Sequence, residues 1–566
     1  MTANSAIIRR KLKTFTHNRK YIRLWVVFLL FSLGGLADIP NSNLMEGCEV
    51  VRWTLMTFIA LFKATLLDTI LYAFRRHKFM RTMIIAFIVV YCAFCLINFC
   101  SWWLYGFGIT NKLMTIIAQT NSRELLEFLP IFADDFFREI NPLIFLVLVI
   151  LITCSIYFAP VLLIRKYSNQ ILFTAAIIGF LSFCYCLITF PVGKTTLLVS
   201  VRVTKNIYQS IDERKTIKKL EDCRKVFPFP EKIKSSHKAN NIVFVIGESA
   251  ARDHHSIYGY PLCTTPYLDS ISKDLFIFQN AVASGTATAL NMECLLSFKS
   301  DNDTTQRWFE FPWLIDLFKY AGYKTFWLSN QEKSGIWSNP SAIMVSDADE
   351  ITYVGAESNS DHTLDKYDTA LLQPFNQAIC DSSLNKLICV HLLGSHIKYS
   401  KRYPPHADFI KADSILNHNN PQWMTKEKAQ TVAQYDNSIR FTDAILKNMI
   451  KSIRNKTTPS VLIYLSDHGE FVYDGRNFRG RDRSSVRVPF IIYINDAYRK
   501  YNPDIVKRLY NAEKSKFSTS DVIHLIMTLS GTSYPYYDES KDILSDWFKT
   551  RTRYVDNIPW EYECDE

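Results

Sequence analysis

Three short apolar runs in this sequence each end in a side chain that can bind a metal ion or move a proton. Ile242–Ile246 ends in "IGES" and presents Glu248. A second run, "LICVHLLGSH", ends at Ser395 and His396, and a third, "VLIYLSDHGE", delivers Asp467, His468 and Glu470. A carboxylate after a strand is most often a helix N-cap, but three such endings in one chain are poorly explained as caps. Glu248, Asp467 and His468 offer two carboxylates and an imidazole, a set that suits zinc with one position left open for chemistry. The predominance of oxygen also admits manganese. Asp467 and His468 are adjacent and would face opposite sides of a regular strand, so the backbone is expected to turn there, which Gly469 permits. His254 and His255 follow Glu248 closely, in what reads as a helix or turn leading to "YGYP". Surface or packing roles suit them better than metal binding.

The open position needs an occupant, and "ASGTATALNMECLLS" (283–297) can supply one. Small residues open an apolar helical pattern there, and backbone N–H groups at a helix start suit a phosphoryl oxygen. A hydroxyl at that point, Thr286 or Thr288, can be ionised by a bound metal and become a nucleophile. The same threonines can merely cap the helix, and spacing alone leaves both readings open.

The elements that position these residues follow from periodicity. From about residue 240 short apolar runs alternate with amphipathic stretches. Strands are expected at Ile242–Ile246, Thr325–Leu328, Leu387–Leu392, Val461–Leu465 and Phe490–Ile494, and helices at Trp313–Ala321, Asp365–Ile379, Thr425–Ile450 and Ser520–Leu529. That alternation predicts an α/β domain with a mainly parallel sheet, and such sheets collect ligands at the carboxyl ends of their strands.

The first two hundred of the 566 residues read differently. Five segments, Leu24–Ala37, Trp53–Phe74, Thr82–Ile109, Pro142–Ile164 and Ile171–Val192, are read as membrane spans. The second carries Lys63 and Asp68, which suit a bundle interior rather than lipid. Basic residues gather before the first span, at Arg75–Arg81 and at Arg165-Lys166, whereas the loop 111–141 is acidic. The positive-inside rule then puts the N-terminus in the cytoplasm and everything after Val192 outside. Residues 196–239 read as a basic interfacial linker. The formal charge of +11 sits largely in that linker and the cytoplasmic loops, so it points to a membrane surface rather than nucleic acid. Of thirteen cysteines, six fall in the spans and six in the external portion, with no CxxC zinc spacing. Their pairing is not legible.

With these residues in place, the chain resembles the phosphoethanolamine transferases of Gram-negative envelopes, in the alkaline phosphatase and sulfatase superfamily. The resemblance rests on "IGES", "SIYGYPLCTTPYL", "SGTATALNMECLLS", "HLLGSH", "QYDNSIRFTDAIL" and "SDHGE". It implies a five-helix transmembrane domain (1–195), the linker (196–239) and a periplasmic sulfatase-like α/β domain (240–566) in a multi-pass inner-membrane protein. It further implies that Glu248, Thr288, Asp467 and His468 bind a catalytic zinc, that Thr288 is the nucleophile, and that His396 binds the transferred phosphate. General-acid work by His396 is the alternative. The implied reaction moves phosphoethanolamine from phosphatidylethanolamine to a lipopolysaccharide component, lipid A phosphate or a core sugar, by way of a threonine-bound intermediate, with a monomer as the expected state.

Two departures stand out. Many relatives have a cysteine where Ser284 stands, paired with the one matching Cys294, and that bridge cannot form here. Many also carry a histidine downstream of "DHGE", whereas this chain has none between His468 and His524. Arg476, Arg479 or Arg481 can substitute as phosphate ligands, and Asn330 and Gln331 are further candidates for substrate contact. No C/S-x-P-x-R segment accompanies Thr288, which sets aside a true sulfatase. A phosphoglycerol transferase of the same superfamily is the nearest alternative, and a catalytically dead scaffold would have no need of the four-residue set.

Overall fold

A computed structural model of the chain describes residues 27–31, 49–74, 76–105, 177, 180–181, 233–303, 305–331, 340–355, 367–418, 424–472 and 483–560. The chain divides into two compact units, Met1–Ile117 with Leu125–Glu213, and Ala118–Glu124 with Arg214–Glu566. In the first unit, α1 (Glu49–Ala73) and α2 (Lys78–Tyr105) lie on the second and third expected spans. Val27, Leu30 and Phe31 pack with Ala60, Ala64 and Leu71 of α1 and with Ile85, Ile88 and Tyr91 of α2. Glu49, Arg52, Lys63 and Asp68 punctuate the 25 residues of α1. Among the described residues no helix is long and apolar enough to cross a membrane. Of the first expected span only residues 27–31 are described and of the fifth only 177, 180 and 181, while the fourth and the linker up to residue 232 fall outside the described residues.

The second unit is built on a seven-stranded sheet. Its strands are β1 (Asn241–Gly247), β2 (Leu275–Ile277), β4 (Lys324–Ser329), β5 (Glu350–Tyr353), β6 (Lys386–His391), β7 (Ser460–Ser466) and β8 (Phe490–Ile494). The order across the sheet is β2-β8-β7-β1-β6-β4-β5. β1 lies parallel to both β6 and β7, and β4 parallel to β6 and β5. β8 alone runs against its neighbours β7 and β2. Phe490–Ile494 therefore breaks the parallel pattern, a direction that an apolar run cannot encode. The short strand β3 (Asn280–Val282) pairs outside this sheet, with β9 (Lys516–Ser518).

The interior strands are buried on both faces, as near-continuous apolar runs must be in a parallel sheet. Ile242, Phe244 and Ile246 of β1 enter one core with Leu314, Leu317 and Phe318 of α4 (Leu314–Tyr320) and with Ile523, Ile526 and Met527 of α7 (Val522–Ser530). Val243 and Val245 enter the other core, with Phe375 of α5 (Leu372–Cys380) and with Ile445, Met449 and Ile453 of α6 (Lys426–Arg454). Burying one such aliphatic or aromatic side chain stabilises the fold by about 1.5–3 kcal/mol, so the two faces hold the site-bearing strands firmly. α6 is 29 residues long, begins at the N-cap Thr425, whose hydroxyl accepts from the Lys428 N–H, and ends with Lys451 and Arg454 in its last turn. Those cations suit the negative end of the helix dipole.

Candidate metal centre and active site

Strand register sets the level of the site. Gly247 of β1 stands opposite Ser466 of β7, and Ile246 opposite His391 of β6. Glu248, Asp467 and Leu392 therefore leave the sheet together. Ser329 of β4 is also level with His391, which brings Asn330 and Gln331 to the same edge.

Sharp turns aim the side chains. Ser249 adopts a left-handed φ of 55°, a conformation that costs a non-glycine residue roughly 1 kcal/mol or more. Three bonds hold it there: its N–H donates to Asp467 Oδ1 (3.0 Å), its hydroxyl to Glu248 Oε1 (2.7 Å), and its carbonyl accepts from the Tyr435 hydroxyl (2.6 Å). Gly394, also left-handed, passes so close that a Cβ would lie 2.8 Å from the Glu248 carbonyl oxygen. Asp467 and His468 escape strand alternation because β7 ends at Ser466. The turn expected from Gly469 has a different cause. Gly469 is not left-handed, and a Cβ there would collide with the Ser484 carbonyl, so the position demands close approach rather than special conformation.

The resulting corner concentrates carboxylates. Glu248, Asp467 and His468 are buried, with one ligand atom from each lying within 4.8 Å of the others. Asp467 Oδ1 accepts from the backbone N–H of His468 (2.7 Å) as well as that of Ser249, whereas the buried Oδ2 has no hydrogen-bond partner among the described residues. His468 Nδ1 lies 2.7 Å from the Gly469 carbonyl. A carbonyl can only accept, so Nδ1 carries the proton and Nε2 presents its lone pair. Nε2 lies 3.6 Å from Glu248 Oε1 and 3.5 Å from Asp467 Oδ2. Burial pushes the His468 pKa down, but the Asp467 and Glu248 carboxylates outweigh it and hold the imidazole above its ordinary range. An orphaned carboxylate oxygen, a second carboxylate and a fixed imidazole lone pair fit a divalent cation, with zinc well matched to the donor set.

Thr288 completes the group. It is the first residue of α3 (Thr288–Leu295), whose N-cap is Ala287 with no side-chain capping bond. The Thr288 hydroxyl lies 3.2 and 3.3 Å from the two Glu248 oxygens and 3.4 Å from His468 Nε2. Its hydroxyl is thus turned to the metal-type ligands, and no side-chain capping bond is made at the helix start. Thr286 reaches Asp556 Oδ2 instead (3.1 Å).

The other expected residues are placed as follows. Gln331 Nε2 donates to Glu248 Oε2 (3.3 Å) and to the Leu392 carbonyl (3.1 Å), so it touches the site. Asn330 is buried with its amide on Asp368 Oδ1 (2.8 Å). His396 is half-buried and follows Ser395, whose N–H donates to the Glu248 carbonyl (2.9 Å). Arg476, Arg479 and Arg481 lie outside the described residues. His254 and His255 are buried, which leaves packing and excludes the surface. His254 Nδ1 meets Asp436 Oδ1 at 2.7 Å, and His255 Nδ1 meets the Ala251 carbonyl at 2.9 Å. Ser284 and Cys294 are both buried.

Sequence reasoning missed the residues that hold the corner in place. "YDNS" on α6 ties down three separate segments, around Ala251–His254, Phe409–Ile410 and Ser395. Tyr435 accepts from the Ala251 N–H (2.7 Å), Asp436 holds His254, Asn437 binds the Phe409 and Ile410 amides, and Ser438 donates to Ser395 (2.9 Å). Asp368 accepts from the Leu393 and Gly394 amides (both 2.9 Å) and so shapes the loop before His396. Burial raises the Asp368 and Asp436 pKa values, partly opposed by these donors. A signal was available: four consecutive polar residues interrupt the buried stripe of a long amphipathic helix, where polar groups need specific partners.

Comparison with known proteins agrees with this geometry. The sulfatase family model matches residues 240–532, and the chain belongs to that family. Within it, the chain is similar to phosphoethanolamine transferases. It is 28% identical to phosphoethanolamine transferase EptC of Escherichia coli K12 over 500 residues, 83% of each chain. The zinc complex of the C-terminal periplasmic domain of E. coli EptC matches with a TM-score of 0.54 and 30% identity, over 59% of this chain and 96% of that one. Lipooligosaccharide phosphoethanolamine transferase A, an integral membrane protein of Neisseria meningitidis, matches in fold over 93% of this chain and 96% of its own, with a TM-score of 0.61 and 17% identity.

Proposed function

We propose that this chain transfers phosphoethanolamine from phosphatidylethanolamine to a lipopolysaccharide component, with Thr288 as the nucleophile. The observation that carries the reading is the Thr288 hydroxyl at the head of α3, within 3.4 Å of Glu248 and His468. Glu248, Asp467, His468 and the Thr288 oxygen would hold zinc, which when bound lowers the pKa of a coordinated hydroxyl and neutralises charge on a phosphoryl group. Thr288 Oγ1 attacks phosphorus and the bond to the diacylglycerol oxygen breaks. The leaving oxygen takes up a proton, and phosphoethanolamine stays on Thr288. Attack by a lipid A phosphate or a core-sugar hydroxyl then breaks the Thr288–phosphorus bond and restores the side chain. The Gly285 and Thr286 N–H groups are taken by Asn291 and Asp556, so it is the first turn of α3 that offers backbone N–H groups to the phosphoryl oxygens. Gln331 steadies Glu248, and His396 binds the phosphate or protonates the leaving oxygen. Arg476, Arg479 or Arg481 serve as further phosphate ligands.

Both substrates in this reading are lipids, which accounts for an anchored enzyme. Residues 1–195 form five spans in the inner membrane with a cytoplasmic N-terminus, 196–239 the interfacial linker, and 240–566 the periplasmic catalytic domain. The similarity to EptC, together with the whole-chain likeness in fold to an integral membrane relative, supports this arrangement.

Mass spectrometry of lipopolysaccharide from cells carrying the wild-type chain should show an added phosphoethanolamine mass, with fragment ions locating the acceptor. Cells carrying Thr288→Ala should lack it. The same mass gain with Thr288→Ala would remove Thr288 from the mechanism.

A further inference from the structure

A hairpin near the end of the chain reaches the loop that carries the nucleophile. Its strands, β10 (Arg553–Val555) and β11 (Ile558–Trp560), pair Val555 with Ile558, which leaves Asp556 and Asn557 as a two-residue turn. Both have positive φ, 53° and 63°, the arrangement of a type I′ turn, for which Asp and Asn are among the favoured residues. The hairpin is fastened to the core: Val555 and Trp560 pack with Val282 and Val486, and the Arg553 guanidinium donates to the Asn280 carbonyl (2.9 Å). The Asp556 N–H donates to the Ser284 carbonyl (2.9 Å). At its tip the Asp556 carboxylate accepts from the Thr286 hydroxyl (3.1 Å) and, at greater length, from the Thr286 N–H (3.4 Å).

The loop between β3 and α3 needs outside support because its side chains are small. At Gly285 a Cβ would lie 2.9 Å from Asp556 Oδ1 and 2.9 Å from Leu290 Cδ2, so any larger residue would push the Asp556 carboxylate or the Leu290 side chain aside. From the inner side Asn291 accepts from the Gly285 N–H (3.0 Å) and donates to the Gly285 and Ala287 carbonyls (both 2.9 Å). Asp556 grips the same loop from the outer side. The next residue but one after Thr286 is Thr288.

We propose that Asp556 is a positioning residue: acting through Thr286, it fixes the loop that sets the Thr288 hydroxyl against Glu248 and His468. This rests on the reading of Thr288 as nucleophile. The hairpin lies beyond residues 240–532, so the support is an addition to the part of the chain that the family model covers.

The full-length protein, reconstituted in phosphatidylethanolamine vesicles with lipid A as acceptor, provides the test. Asp556→Gly keeps a turn-compatible backbone and deletes the carboxylate; Asp556→Asn keeps the turn and one acceptor oxygen; Thr286→Val deletes the hydroxyl and keeps the shape. Asp556→Gly should lower kcat by about 10- to 100-fold, the scale of a misplacement near 1 Å. KM for phosphatidylethanolamine and the melting temperature should stay close to wild type, and Asp556→Asn should recover most of the rate. In the double variant Thr286→Val/Asp556→Gly the losses should not multiply, because both remove one contact. A wild-type kcat for Asp556→Gly, fully multiplicative losses, or a fall in rate that follows melting temperature or KM would overturn the proposal. Thr288→Ala, assayed alongside, should be inactive. If it turned over normally, the nucleophile reading would fail as well, a result distinct from failure of Asp556 alone.

Discussion

Two sets of buried carboxylates in the second unit, one at the strand ends and one along α6 with the loops it contacts, differ in what meets their oxygens. Glu248 and Asp467 belong to the first group, and Asp368, Asp436 and Asp443 to the second; none is more than 4% exposed. Asp443 spends its oxygens on the Tyr267 and Leu268 amides (2.8 and 3.0 Å), which open a short helix at Pro266–Ser270. Asp368 and Asp436 are likewise met by amides, an imidazole and a phenol. Among the described residues Asp467 Oδ2 has no donor, and it faces His468 and, beyond it, another carboxylate. A buried acid whose oxygens are filled by N–H groups builds a loop. One whose oxygen faces only other electron-rich atoms calls for a cation. Asp316 sharpens the distinction, because its Oδ2 is also buried and unpartnered but has Asp347 rather than a histidine beside it.

The contrast can be broken at either end. Asp467→Asn should lower zinc affinity by more than about 100-fold, since outer-shell partners alone account for 10- to 100-fold. Calorimetric titration would measure it, and the zinc-induced rise in melting temperature should vanish too. Asp443→Ala should do the opposite: affinity unchanged, and a loss of about 2–4 kcal/mol in urea unfolding, because two helix-start amides lose their acceptor. Equal loss of zinc binding in both variants would erase the division between the two groups.

Asp316→Asn is the smallest effect and depends on pH. Burial, with Asp347 adding to it, raises the Asp316 pKa from 3.8 to about 7. A folded-state pKa above the unfolded one means the fold prefers this carboxyl protonated. That contribution is complete below 3.8 and is lost as pH rises through about 7. Asp316→Asn removes the ionisable group, so it should stabilise by on the order of 2 kcal/mol at pH 8 and by much less at pH 5. An equal change at both pH values would show that Asp316 is not ionised at a cost.

Much of this was legible in the chain. The site-bearing strands were visible because each is an apolar run buried on both faces, and Glu248, Asp467 and His468 because acids and imidazoles stand out where such runs stop. Thr288 could not be separated from a cap by spacing, since its role depends on where the hydroxyl points. The reversed direction of β8 and the edge strands β2 and β5, of three and four residues, carry too little pattern to be read. The Tyr435, Asp368 and Asp556 tethers bind segments remote in sequence, and local periodicity is blind to such partners. His254 and His255 looked chemical because histidine pairs attract attention, yet their partners are Asp436 and a backbone carbonyl.

The central place of β1 also governs how the domain comes together. Asn241 at its start bonds Ser460 across 219 residues of chain, and neighbouring Asn240 bonds Asn385 across 145. During synthesis β1 is made first and has neither flanking strand until those later segments emerge. A nascent or truncated chain ending before residue 460 would hold β1 with an unpaired apolar edge, a template for aggregation. Such separations favour slow folding. The corner of Glu248, Asp467 and His468 forms only when β1 and β7 meet, so a zinc held as proposed would have its full ligand set only in the finished sheet. Zinc retention would then report completed folding, and a proteolytic nick between the two strands that frees either one would dismantle the proposed site from a distance.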